Sequence, residues 1–300
     1  MGLAAGGVVT RWETDRSVHE LMVRRASGPA AEVVRGYVGY EEWPGQPVTR
    51  RRVARPGMAL ILAFGDRIEV RDGGGRMPRS LGAFVAGPQS RFSVTGFGGH
   101  QHGVQVELSD AGAVALFGDV DELSGAAIPV GEALGRWGVR LVGQLAEAPG
   151  WAARFAVLDG VFAGLPAGHG GLARVISPEV AWLRQRLAAT GGRARVEPLM
   201  DETGRSRRVV TARFRSQFGV SPKTYARIVR FRRALRLLGR VGHDRALADV
   251  AMDCGYYDQS HLARDFAALA GCTPSAFRAE TAGEPDVRFF QDDEPAGSLR

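Results

Sequence analysis

His100, His102 and Glu107 are spaced as His-x-His-x4-Glu, and two imidazoles with a carboxylate are donors of the kind that hold a zinc-type cation. On an extended strand the two histidines project from one face and Glu107 from the other, so all three converge only if a bulge intervenes. Gly98 and Gly99 directly precede His100, which favours a turn carrying surface histidines over a metal centre. No metal and no cofactor are expected. Signals for covalent or hydrolytic chemistry are missing as well: there is no Gly-x-Ser-x-Gly and no His-Glu-x-x-His. The glycines at 73, 74 and 75 are followed by Arg76 where a phosphate loop needs lysine and a hydroxyl. The expectation is a protein with no catalytic residues, not an enzyme.

A second kind of chemistry lies further along. From Arg205 to Arg240 there are twelve basic residues, eleven Arg and Lys223, and no Asp or Glu. Residues 1 to 173 are neutral overall, residues 174 to 281 carry net +10, and the last 19 carry net −3. A hydrophobic core cannot absorb such a field, whereas phosphate groups can, with counterion release supplying affinity.

The elements that would position these arginines occur twice. Phe214, Gly219, Pro222 and Tyr225 are matched by Phe266, Gly271, Pro274 and Phe277 at a constant offset of 52 residues. Ser206 and Asp258 stand at the same offset and can each cap a new helix. Val210, Phe214 and Phe218, and again Leu262, Phe266 and Ala270, form an i, i+4, i+8 apolar stripe that buries one helix face and frees the other. A short apolar helix ending at Gly204 or Gly255 precedes each cap, so the unit reads as helix, tight turn, helix. Between the units, Tyr225, Ile228, Val229, Leu235 and Leu238 have helical spacing over residues 222 to 240.

The stretch from about Ser177 to Arg278 resembles the DNA-binding module of the AraC/XylS family of bacterial transcription regulators. The match is strongest over ALADVAMDCGYYDQSHLARDFAALAGCTPSAFR, residues 246 to 278, with its alanine-rich first helix, glycine-aromatic turn, Asp-Gln-Ser-His-x-x-Arg-x-Phe helix and Gly-x-Thr-Pro-x-x-Phe ending. The resemblance implies an all-α domain of two helix-turn-helix units on a long linker helix, entering two successive major grooves of double-stranded DNA roughly 34 Å apart. Carried over by position, it implies base reading by Gln259, Ser260 and Arg264, with His261 beside them, and by Arg207, Arg208 and Thr211 in the first unit, with Ser206 at the cap. An arginine at 264 can meet guanine O6 and N7 bidentately. The matching first-unit position is Ala212; Arg213, one residue on and about 100° around the helix, is expected at phosphate.

The N-terminal part is expected to be α+β. From Val33 to Leu108 short apolar runs alternate with turn signals, as in MALILAF, RIEV and GVQVEL separated by RDGGGRMP and GPQS. Beyond Ser109 alanine- and leucine-rich helical patterns follow. The GPQS segment, the GVQVEL strand and the helices after it resemble the cupin-like domain often found ahead of this DNA-binding module. The resemblance implies a small-molecule effector or homodimerisation, and RNA polymerase as a partner if the protein is an activator. The histidine spacing also resembles part of a cupin metal motif, so the alternative is a metal-dependent cupin enzyme fused to a DNA-binding module.

The expected division is therefore a sensor domain over 1–173, a tandem helix-turn-helix domain over 174–281, and an acidic, disordered tail over 282–300. Trp43, Phe64, Phe84 and Phe92 could line a pocket, although most read more simply as core, and Cys254 and Cys272 read as small buried thiols. The opening residues reach charge too early for a secretion signal, and no run approaches a membrane span, so a cytoplasmic protein is expected.

Overall fold

The computed structural model of the chain describes residues 8–14, 17–74, 77–168, 176–239 and 245–281. Turn signals divide the first half into β1 (Val8–Thr14), β2 (Ser17–Arg25), α1 (Ala30–Val33), β3 (Val34–Pro44), β4 (Val48–Arg52), β5 (Ala59–Ala63), β6 (Ile68–Asp72), β7 (Arg79–Leu81), β8 (Phe84–Ala86), β9 (Ser93–Phe97) and β10 (Gln101–Leu108). A short β11 (Ala127–Pro129) joins them later. All paired strands among the described residues are antiparallel, in one sheet of order β1-β2-β3-β10-β5-β8-β11 and a second of order β4-β9-β6-β7. This is the cupin-like, β-rich arrangement expected, with one correction. Strand pairing begins at Val8 rather than Val33, because the β1–β2 hairpin extends the sheet edge. Charges interrupt its apolar runs, and edge strands tolerate charge.

Period-two alternation gives the larger sheet two different faces. One face carries Tyr37, Leu60, Leu62, Val104 and Val106, all buried against Leu141 and Leu145 of α4 (Gly135–Glu147) and Phe155, Leu158 and Phe162 of α5 (Gly150–Gly168). The other face looks at the second sheet across a cavity. Before α4 lie α2 (Asp110–Phe117), capped by Ser109, whose hydroxyl accepts from the Gly112 N–H at 2.9 Å, a 3₁₀ turn at Val120–Leu123, and the single turn α3 (Val130–Ala133).

The C-terminal part is all helical: α6 (Pro178–Ala189), α7 (Val196–Glu202), α8 (Arg207–Phe218), α9 (Pro222–Leu238), α10 (Leu247–Asp253), α11 (Gln259–Ala270) and α12 (Pro274–Thr281). Helix α9 serves both units. Its first turns bury Tyr225 and Ala226 with Val210, Phe214 and Phe218 of α8; its later turns bury Ile228, Phe231 and Ala234 with Leu262, Phe266 and Leu269 of α11. Phe231 meets Phe266 edge to face at 5.0 Å, and Phe214 meets Tyr225 in the same way at 5.6 Å. The expected boundary at 173/174, the linker's last residue Arg240 and the tail from 282 lie outside the described residues.

Candidate nucleic-acid interface

The second helix of each unit is opened by a residue whose chemistry suits a cap. The Ser206 hydroxyl accepts from the Val209 N–H at 3.4 Å, and the Asp258 carboxylate accepts from the His261 N–H at 2.6 Å. Each capped helix then buries its apolar stripe, since Val210, Phe214, Leu262 and Phe266 are all fully enclosed. The opposite face is left to solvent. On α11 it presents Gln259, Ser260 and Arg264, all exposed, with His261 half-buried edge to face against Tyr256 at 5.1 Å.

The first unit presents the same face with different groups. Arg207 and Arg208 occupy the places of Gln259 and Ser260, Ala212 that of Arg264, and half-buried Thr211 lies between them. Arg213 stands apart from these: it pairs with Glu179 at the start of α6, and its counterpart in the second unit is Asp265. Asp265 is buried and accepts from Arg227 of α9 at 2.7 Å, which ties the linker helix to α11. Arg215, not singled out from sequence, joins the first unit's free face. The signal was present, since 207, 211 and 215 are four residues apart and share a face.

The two free faces differ in what opposes them. Asp119 and Asp121, in and before the 3₁₀ turn, close a cleft whose other wall is Arg207, Arg208, Thr211, Ala212, Arg215 and Ser216. Asp121 reaches Arg215 at 3.0 Å. At the far ends of both helices, Gly219 (φ +69°) and Gly271 (φ +69°) adopt the left-handed conformation that closes a helix. Each also abuts the N-terminal domain: an added Cβ would lie 2.5 Å from Pro88 at Gly219 and 2.7 Å from the Phe92 ring at Gly271. Phe92, expected in the N-terminal core, thus packs between the domains.

Between the two sheets lies a cavity of about 100 Å³ lined by Ile61, Ile68, Val70, Phe84 and Phe97 and by four guanidinium groups, Arg50, Arg52, Arg55 and Arg232. Arg232 comes from α9, so the linker helix forms part of this wall. Glu42 pairs with Arg50 at 2.6 Å, and Glu107 with Arg55 at 2.9 Å. Burial first, then Arg50 and Arg55, pull the Arg52 pKa down to about 10, which leaves it charged at neutral pH.

The histidine motif divides between the two faces of β10. Glu107 lies on the cavity side of the larger sheet, paired with Arg55, whereas His102 is on the helix side with Glu41 of β3 opposite, and His100, just before the strand, meets the same carboxylate. The expected turn with surface histidines is corrected: His102 lies within β10, and its side chain is 17% exposed. The strand pairs on both sides at this point, which overrides the turn signal of the preceding glycines. Burial, and secondarily the charge of Arg154, lowers the His102 pKa. Trp43 is also corrected from core, at 54% exposure, with its ring stacked on His100 at 3.7 Å. Cys254 is a buried thiol whose pKa is raised by that burial, and Cys272 is half-buried.

With this geometry in place, residues 199–280 match a family described as "Helix-turn-helix domain", of the AraC type. Through this region the chain belongs to the AraC-type DNA-binding transcription regulators. No curated protein matches it by sequence. Among solved structures, it is 31% identical to the DNA-binding domain of AdpA, "the global transcriptional factor, in complex with a target DNA", over 35% of this chain and 90% of that one, with a TM-score of 0.30. ToxT from Vibrio cholerae is 12% identical over 78% of this chain and 98% of that one, TM-score 0.44. The AraC-like transcriptional activator CuxR is 12% identical over 73% and 80%, TM-score 0.31. No described helix is long and apolar enough to cross a membrane.

Proposed function

We propose that this chain is a sequence-specific regulator in which α11 reads bases while the N-terminal domain controls α8. The observation that carries the reading is the unequal setting of two equivalent faces. Gln259, Ser260 and Arg264 are exposed on α11, whereas the matching face of α8 meets Asp119 and Asp121. An acidic turn on this face repels the phosphates of a duplex brought to α8 and competes with them for Arg215. The second unit therefore selects the site, and the first adds phosphate and groove contacts once the turn withdraws. Ser206 acts as cap, Arg207, Arg208 and Thr211 lie on the first unit's contact face, and Arg213 supplies charge from the side.

In this reading the sensor domain ends near residue 173 and the DNA-binding domain runs to about 281. The effector is a small organic anion seated between the sheets. The four guanidinium groups outnumber the carboxylates of Glu42 and Glu107 that pair with two of them, which favours negative charge, and the apolar wall favours a compact hydrocarbon body. A cavity of about 100 Å³ is smaller than the roughly 150 Å³ that holds benzene, so any larger ligand must part the sheets. Because Arg232 of α9 shares the wall, such a ligand acts directly on the linker helix between the two units.

The test is a selection of bound sites from a random DNA pool, followed by titration of the recovered site. The Asp119→Asn/Asp121→Asn protein is expected to bind it roughly 2- to 10-fold more tightly at low salt, in line with loss of an exposed ion pair and two repelling charges. Unchanged or weaker binding would remove the acidic turn from the mechanism. Small carboxylates that fill the cavity are expected to raise the melting temperature of the unaltered protein and not that of Arg52→Ala. Equal shifts in both would place the ligand elsewhere.

A further inference from the structure

We propose that Glu41, His100 and His102 form a binding site for one divalent first-row transition-metal ion of the zinc type, on the helix-facing side of the larger sheet. This set differs from the one the sequence spacing suggested, because Glu107 is turned away to Arg55 and its place is taken by a carboxylate from the neighbouring strand.

The donors already converge. His100 Nε2 is 3.1 Å from Glu41 Oε1 and His102 Nε2 is 4.0 Å from Glu41 Oε2, so each imidazole meets a different oxygen of one carboxylate. One ligand atom from each of the three residues can be chosen so that all lie within 4.8 Å of one another. Metal–ligand bonds of about 2.0–2.1 Å in a tetrahedron imply donor separations of roughly 3.4 Å, so small side-chain adjustments suffice.

His102 supplies the second observation. Its Nε2 is buried and has no hydrogen-bond partner among the described residues. A buried nitrogen without a partner is costly, and a cation held by the three donors would satisfy it. The surrounding rings fix both imidazoles: Trp43 stacks on His100, while Phe64 and Trp151 meet His102 edge to face at 4.5 and 5.5 Å. The charge balance permits a cation, since the carboxylates of Glu41 and Glu20 both act on His102 alongside the guanidinium of Arg154. Glu20 is engaged by the Trp151 indole N–H, which leaves three protein ligands and a fourth position for water. Glu41 and His100 are partly exposed, which gives that water access.

The test uses the untagged full chain, first stripped with a chelator. Zn2+ is titrated by calorimetry, and Co2+ by its visible ligand-field absorption together with quenching of tryptophan fluorescence. One equivalent per chain is expected, with at least about 100-fold weaker binding in His102→Ala and in the isosteric Glu41→Gln, and unchanged binding in Glu107→Gln. Circular dichroism confirms that each variant is folded, and Glu41→Gln stands in if His102→Ala is not. No saturable equivalent in the unaltered protein, or affinity in both ligand variants equal to that of the unaltered protein, overturns the site. A loss in Glu107→Gln equal to that in His102→Ala also overturns it, because it would return the ion to the cavity side of β10.

Discussion

Arg264→Ala is expected to reduce the preference of the protein for its selected DNA site over unrelated DNA by about 5- to 150-fold, the equivalent of the roughly 1–3 kcal/mol of a bidentate arginine–guanine contact. The expectation rests on where the side chain stands. It lies on α11 two residues before buried Phe266, on the face that leaves the domain, and its backbone is held by the Asp258 cap and the Arg227–Asp265 pair. A flexible guanidinium on so rigid a support can discriminate as well as attract. The comparison is Arg213→Ala, which is expected to weaken all sequences alike and to lower the salt slope by about one unit. Competition binding at several salt concentrations separates the two. Equal loss of specific and unspecific binding in Arg264→Ala would make that arginine another phosphate ligand.

Phe266→Ala is expected to cost about 3–5 kcal/mol of folding stability. Phe266 is fully buried and is the ring on which the second unit closes, meeting Phe231 of α9 at 5.0 Å and Phe277 of α12 at 5.8 Å. Removing it empties the junction of three helices, and the linker is one of them. Because small domains retain only about 5–15 kcal/mol in total, DNA binding should fall with the fold although no contacting residue has changed. Urea denaturation followed by circular dichroism measures the loss; a cost below about 1 kcal/mol would contradict the packing of α11. The equivalent Phe214→Ala is expected to act on the first unit in the same way, since Phe214 is also fully buried and meets both Phe218 and Tyr225.

The C-terminal half was legible because its information is local. Caps, an i, i+4 stripe and a closing glycine lie within one helix turn of what they control, so Ser206, Asp258, Gly219 and Gly271 could be placed without tertiary knowledge. The free face of α11 followed from the same periodicity. What the sequence concealed depends on partners far along the chain. Asp121 lies 94 residues from Arg215, and nothing in its neighbourhood marks it as the wall of a cleft. Glu41 lies 59 residues from His100, and only strand pairing brings them together. The β1–β2 hairpin escaped notice for a related reason: its identity comes from the ladder to β3, not from an apolar run of its own.

The expected boundary near residue 173 marks a change of composition, and packing crosses between the parts it separates. Val53 and Ala54, directly after β4, belong to the buried core of the second unit, and the Ala54 N–H donates to the Leu269 carbonyl at 2.8 Å. A fragment starting at 174 would contain every helix of the tandem module yet present part of that core, and one helix carbonyl, to water. Such a fragment should be less soluble and more readily proteolysed than the same segment within the intact chain. The two halves should accordingly melt in one cooperative transition, with the N-terminal domain acting on the second unit as a covalently attached chaperone.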